Sequence, residues 1–166
     1  MIAKKICLLG DFAIGKTSLT VRFARQTFSD HYLTTVGVKI DSKLVELAGQ
    51  QTVKLVIWDI AGNDTFSSVD KSYLRGAAGV LLVADGCRRN SLNNMLNLAR
   101  LVVDTVGDCP MVVAVNKLDL RSDWEIQESD LAKLQTAGFP VFKTSAKTGE
   151  NVEDAFYQLA SLMIAA

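Results

Sequence analysis

What this sequence lacks narrows its class before any motif is read. Lysine plus arginine and aspartate plus glutamate each number 18, and no run of basic residues appears. A chain so balanced carries no electrostatic footprint for nucleic acid or an anionic membrane, so any anion it binds must be gripped locally. Its three cysteines, Cys7, Cys87 and Cys109, are odd in number, lie in or beside apolar stretches and show no paired metal-ligand spacing. They read as buried free thiols of a reducing cytoplasm, not as disulfides or a zinc site.

Long apolar runs are missing too. Met111 to Val115 and Gly79 to Ala84 are among the longest, far below the ~20 residues that cross a bilayer. The start, Met1-Ile2-Ala3-Lys4-Lys5, has no signal h-region and no glycine for myristoylation, and Ile164-Ala165-Ala166 offers no cysteine box or polybasic tail. The expectation is a soluble, cytoplasmic chain without a membrane anchor. No repeat, low-complexity tract or Pro/Gly linker interrupts the 166 residues, 49% of them hydrophobic, so one domain over 1–166 is expected.

What is present is an alternation of short β-branched runs with stretches of helical period, the pattern of an α/β, doubly wound, mostly parallel sheet. Strands are predicted at Lys5 to Leu9, Val38 to Leu47, Thr52 to Trp58, Val80 to Ala84, Met111 to Val115 and Val141 to Lys143. Only the second and third are joined closely enough for a hairpin, through Ala48-Gly49-Gln50-Gln51, which predicts one antiparallel pair with the second strand at the sheet edge. Helices are predicted at about Lys16 to Arg25, Ser91 to Val106, Glu128 to Ala137 and Val152 to Ile164, with Ser91 and Asn151 as caps and Gly107 and Gly138 at ends. Two long irregular segments remain, Gln26 to Val36 and Gly62 to Ser72, and loops of that length are usually functional or mobile.

The chemistry begins at Gly10-Asp11-Phe12-Ala13-Ile14-Gly15-Lys16-Thr17, which follows a predicted strand and opens a predicted helix. Glycines there let successive backbone N–H groups turn around a phosphate, helped by the positive end of the following helix, where Ser18 also lies. Lys16 then reaches the outer phosphates and the Thr17 hydroxyl meets Mg²⁺. Asn116-Lys117-Leu118-Asp119 closes the fifth strand at the carboxyl edge, where open α/β sheets bind ligands. The Asp119 carboxylate can accept from guanine N1 and its 2-amino group, an arrangement adenine cannot supply. Lys117 can lay its methylenes along the purine, and Phe28 is placed to cover an edge or the sugar, although core packing also explains a phenylalanine. Ser145-Ala146-Lys147 offers backbone N–H groups for a guanine 6-oxo group. Asp59-Ile60-Ala61-Gly62 puts a carboxylate near the Mg²⁺ side and a glycine N–H near a γ-phosphate, while Thr35, with Thr34 competing, is a candidate to close on Mg²⁺.

Together with Thr35-Val36-Gly37 and Trp58 before Asp59, these motifs resemble the Ras superfamily of small GTPases over nearly the whole chain. Gly10-Asp11, Thr35 to Val38 and Tyr73-Leu74-Arg75-Gly76-Ala77-Ala78-Gly79-Val80 look most like its Rab branch. The resemblance implies a P-loop GTPase fold of six strands and about five helices, GTP or GDP as ligand, and Mg²⁺ held by Thr17 and Thr35 with Asp59 through water. It also implies switch loops around Phe28 to Gly37 and Gly62 to Tyr73 that effector, exchange-factor or activating proteins read. Asn63 stands where the family has a water-orienting glutamine and is one methylene too short, so slow hydrolysis is expected from a catalytic set of Lys16, Thr35, Gly62 and Asn63. Phe12 stands where the Rab pattern has serine; its ring either faces the γ-phosphate region, where an inserted arginine would clash, or folds outward. The leading expectation is a GTP/GDP switch. A GTP-binding scaffold with little hydrolysis is the alternative, and an ATP-using P-loop kinase is disfavoured because no arginine-rich lid segment appears and Asp119 suits guanine.

Overall fold

A computed structural model describes residues 2–25, 37–62 and 71–165. Its elements in chain order are β1 (Ile2–Leu9), α1 (Lys16–Arg25), β2 (Val38–Leu47), β3 (Gln51–Ile60), β4 (Gly79–Asp85), α2 (Arg89–Val106), β5 (Met111–Asn116), α3 (Glu128–Thr136), β6 (Val141–Lys143) and α4 (Val152–Ala165), with short 3-10 turns at Ala48–Gln50, Lys71–Leu74 and Leu118–Asp123. Among the described residues no helix is long and apolar enough to cross a membrane.

The strands form one sheet in the order β2-β3-β1-β4-β5-β6. All pairings are parallel except β2 with β3, which run antiparallel from Val38↔Ile60 to Leu47↔Gln51. β2 is therefore an edge, as its hairpin predicts. Its outward residues Ile40, Ser42, Leu44 and Glu46 alternate with better-covered ones, whereas all of β4 is buried. That contrast follows from position, since a central parallel strand is covered on both faces.

Strand alternation divides the core in two. Ile6, Leu8, Leu81 and Val83 face α1 and α4, packing with Leu19, Phe23, Phe156 and Leu159. Cys7, Leu9, Val80 and Leu82 face α2 and α3, packing with Met95, Leu98, Val102, Leu131 and Leu134. The result is three layers, with the sheet between two pairs of helices.

Two capping expectations need correction. α2 starts at Arg89, so Ser91 lies inside its first turn, where its hydroxyl accepts from the Asp85 amide at 2.8 Å and reaches the Arg88 carbonyl at 2.6 Å. The Arg89 amide is taken by Glu125 Oε1 at 3.0 Å, a partner from across the fold that local pattern cannot reveal. Asn151 does precede α4, and its carbonyl accepts from the Ala155 amide. Its side chain instead donates to the Lys143 carbonyl at 2.7 Å, because a backbone φ of 60° turns it toward β6. Gly107 and Gly138 end their helices as expected, with φ of 88° and 100°.

The thiols also depart from expectation. Cys7 is buried, but Cys87 and Cys109 are only partly covered. Burial pushes the Cys7 thiol up to about 11, with Cys109 adding to the rise and Lys5 opposing it. Burial likewise raises Cys87 and Cys109.

The Phe23 and Phe156 rings stack with centroids 4.0 Å apart, joining α1 to α4 behind the site. Removing a buried aromatic ring leaves a cavity as well as losing transfer energy. Phe156→Ala is expected to cost about 3–5 kcal/mol by urea unfolding, whereas Tyr157→Ala, 40% exposed on the same helix, should change stability by about 0.5 kcal/mol or less.

Candidate nucleotide site

The loop between β1 and α1 is built for close approach. A Cβ at Gly10 would lie 2.2 Å from Ile14 Cδ1 and 2.5 Å from the Val83 carbonyl oxygen. Gly15 has φ of 95°, and a Cβ there would lie 2.4 Å from Asn116 Nδ2. Ala13 holds a left-handed φ of 68° without being glycine, a conformation that surrounding contacts must sustain.

Those contacts fall on the loop carbonyls. Asp11 O accepts from Lys16 Nζ at 3.2 Å, Phe12 O from Arg88 Nη2 at 2.6 Å, Ala13 O from Lys117 Nζ at 3.2 Å and Ile14 O from Asn116 Nδ2 at 3.0 Å. Gly15 O then accepts from the Leu19 amide and starts α1. Five successive carbonyls are thus occupied by donors from the protein. Ile14 is fully buried beneath the loop, while the Phe12 side chain is 47% exposed above it.

Beside the loop, Thr17 Oγ1 donates to Asp59 Oδ2 at 2.5 Å, with Asp59 fully buried at the end of β3. Burial holds Lys16 below its ordinary value, with Arg88 adding to the drop, against the opposing charges of Asp59 and Asp11. Gly62 sits on the loop so closely that a Cβ would lie 2.5 Å from the Asp11 carbonyl carbon and 2.6 Å from Gly10 O. A hydroxyl and a carboxylate oxygen in contact are hard donors, and Mg²⁺ sites of this kind take one or two such ligands and complete their shell with water and phosphate. The residues present fit that ion.

On the other side, Asn116 joins the loop to β6. Its Oδ1 accepts from Thr144 Oγ1 at 3.2 Å while its Nδ2 holds Ile14 O. Lys117 adopts φ of 74° and meets Asp85 at 2.9 Å. Asp119 Oδ1 accepts from Ser145 Oγ at 2.8 Å, and Ser145 Oγ also accepts from the Thr148 amide. Arg22 of α1 donates to Ala146 O at 2.8 Å and Lys147 O at 2.5 Å, fixing the turn they occupy.

The structure therefore brings Gly10 through Ser18, Asp59, Gly62, Asn116, Lys117, Asp119 and Ser145 to Lys147 to one edge of the sheet. Phe28, Thr34, Thr35 and Asn63, with most of both long irregular segments, lie outside the described residues. Sequence reasoning missed Arg22, Asp85, Gly86, Arg88, Asn94 and Trp124. Only Asp85 carried a signal, as a carboxylate ending an apolar strand at the ligand edge.

A glycine-turned loop on a parallel sheet, a Thr–Asp pair beside it and an Asn-Lys-x-Asp corner define a P-loop nucleotide-binding protein. The model of the Ras family matches residues 5–165. The chain is 34% identical over 158 residues to the Ras-related protein Rab-13 of Canis lupus familiaris, covering 94% of this chain and 77% of that protein. Identity is 34% over 158 residues to Ras-related protein Rab-8B of Homo sapiens, with 94% and 76% covered. It is 35% over 164 residues to Ras-related protein RABE1e of Arabidopsis thaliana, with 94% and 72% covered. The chain belongs to the Ras family and is Rab-like, which supports a GTP-binding switch GTPase.

Gly86 shows how tightly the base-side corner is closed. A Cβ there would lie 2.0 Å from Trp124 Cε2, and Trp124 Nε1 donates to the Lys117 carbonyl at 2.8 Å. Gly86→Ala is expected to destabilise the protein by about 1–3 kcal/mol in urea unfolding. Combined with Trp124→Ala, which makes room, the loss should be clearly less than the sum of the two single changes.

Proposed function

We propose that this chain holds GTP or GDP with Mg²⁺ at this edge and cycles between the two as a switch, with slow hydrolysis of GTP. The observation that carries the reading is the continuous hydrogen-bonded path from Ile14 O through Asn116 to Thr144, which seats the phosphate loop and the Asp119–Ser145 pair in one body.

In this reading the amides of Gly10 to Ser18 line the phosphates and Lys16 meets the outer ones. Asp119 accepts the two guanine N–H groups, the Lys117 stem lies along the purine, and the amides at Ser145, Ala146 and Lys147 face the 6-oxo group. Phe28 covers the sugar or an edge of the base. Thr17 and Thr35 would hold Mg²⁺, with Asp59 contacting it through water, and the bound ion would supply charge neutralisation at the phosphates. The Gly62 amide faces the γ-phosphate, and Asn63 orients the attacking water poorly because it is one methylene short. Effector, exchange-factor and activating proteins of the cytoplasm read the two loops around Thr35 and Gly62, which differ between the GTP and GDP states.

A second reading, a GTP-binding scaffold that scarcely hydrolyses, is favoured by Asn63 together with Phe12. The nucleotide that co-purifies separates them: GDP supports turnover, and persistent GTP supports the scaffold.

Lys16→Ala and Asp119→Ala are each expected to abolish GDP binding in a fluorescent-nucleotide titration while far-UV circular dichroism stays unchanged; normal binding by either variant would remove the site assignment. In single-turnover assays Asn63→Gln is expected to raise GTP hydrolysis by at least about tenfold. No increase would point away from water positioning as the limit.

A further inference from the structure

Asp85 is a buried charge that the proposed nucleotide contacts do not use. It ends β4 fully buried, between the strand that leads to the phosphate loop and the strand that leads to the base. Its Oδ2 meets Lys117 Nζ at 2.9 Å and Arg88 Nε at 3.2 Å, and its Oδ1 accepts from the Cys87 amide at 2.9 Å. One carboxylate thus collects two cations.

Each cation then reaches onward to the loop. Lys117 Nζ holds Ala13 O, and Arg88 Nη2 holds Phe12 O. Lys117 does so through its single Nζ, whereas the flat Arg88 guanidinium uses two nitrogens, Nε and Nη2, held at a fixed angle in one rigid fork, a geometry that a lysine at the same position does not reproduce. From α2, which begins just after Arg88, Asn94 Nδ2 donates to Asp11 Oδ2 at 2.7 Å.

Peptide planarity turns these bonds into a statement about the amides. In a trans peptide the C=O of one residue and the N–H of the next point in opposite directions. Holding Phe12 O therefore aims the Ala13 N–H, and holding Ala13 O aims the Ile14 N–H. Lys16 Nζ lies against Asp11 O, which marks this stretch as the end of the loop nearest the outer phosphates.

We propose that Arg88 and Asp85 are positioning residues that set the grip of the phosphate loop, Arg88 acting on the outer phosphates alone and Asp85, through Lys117, on both phosphates and base. The inference rests on the nucleotide reading above. It predicts that the two residues separate when ligands differ only in the β-phosphate.

The test is competition of GDP and GMP against a fluorescent guanosine diphosphate on the full chain, at fixed Mg²⁺. Arg88→Ala is expected to weaken GDP about tenfold and GMP less than about twofold, with Arg88→Lys in between. Asp85→Asn is expected to weaken both. Arg88 is 45% exposed, so its variants test the proposal even where Asp85→Asn fails to fold. Equal weakening of GDP and GMP by Arg88→Ala, or no change in GDP, overturns the positioning role. Failure of the unaltered chain to bind GDP would instead overturn the nucleotide reading itself.

Discussion

Asn116 sits where two halves of the edge must agree. Its amide donates to Ile14 O at 3.0 Å and its carbonyl oxygen accepts from Thr144 at 3.2 Å, so one planar group spans from the loop after β1 to the strand that precedes Ser145. β4 lies between β1 and β5, and the side chain passes only because β4 stops at Asp85 and the chain turns at Gly86, whose amide donates to Asn116 O. Gly15 is a consequence of the same crossing, since any Cβ there would strike the Asn116 amide. The sheet order, the two glycines and the spacing of the motifs are thus different expressions of one hydrogen-bonded bridge.

Net charge is zero, and among the described residues four of the cations at the edge are already engaged: Lys117 and Arg88 with Asp85, Arg22 with two carbonyls, Lys16 with Asp11 O. An anion arriving here therefore meets oriented amides and a helix start more than loose positive charge. That division of labour matches the desolvation of Lys16, whose burial disfavours its charged form despite the opposing charges of Asp59 and Asp11.

Much of this was legible because its signals are local. Val38 to Leu47 reads as an edge strand from its short connection to Gln51, and Gly10 to Thr17 reads as a phosphate loop because a strand precedes it and a helix follows. What was illegible depends on distant partners. Arg88 and Phe12 are 76 positions apart, and nothing in either neighbourhood announces their bond. Ser91 looks like a cap by residue type, yet the helix begins earlier because Glu125 supplies the acceptor. The contributions of Phe28, Thr35 and Asn63 belong to residues outside those described, so for them the motif reading stands alone.

Phe12 shows why a loop can tolerate a departure from its family's pattern. The cradle uses residue 12 through its carbonyl, which Arg88 holds, and the amide this aims is that of Ala13. The side chain is 47% exposed and adds no hydrogen-bonding group, so an aromatic ring here leaves the carbonyl bonds of Asp11, Ala13 and Ile14 in place. In the proposed reading binding and turnover are consequently separable: the first would depend on backbone groups that Asn116, Lys117 and Arg88 hold, the second on what stands above the loop. A bulky residue 12 thus changes the surface above the loop while the carbonyl bonds beneath it stay in place.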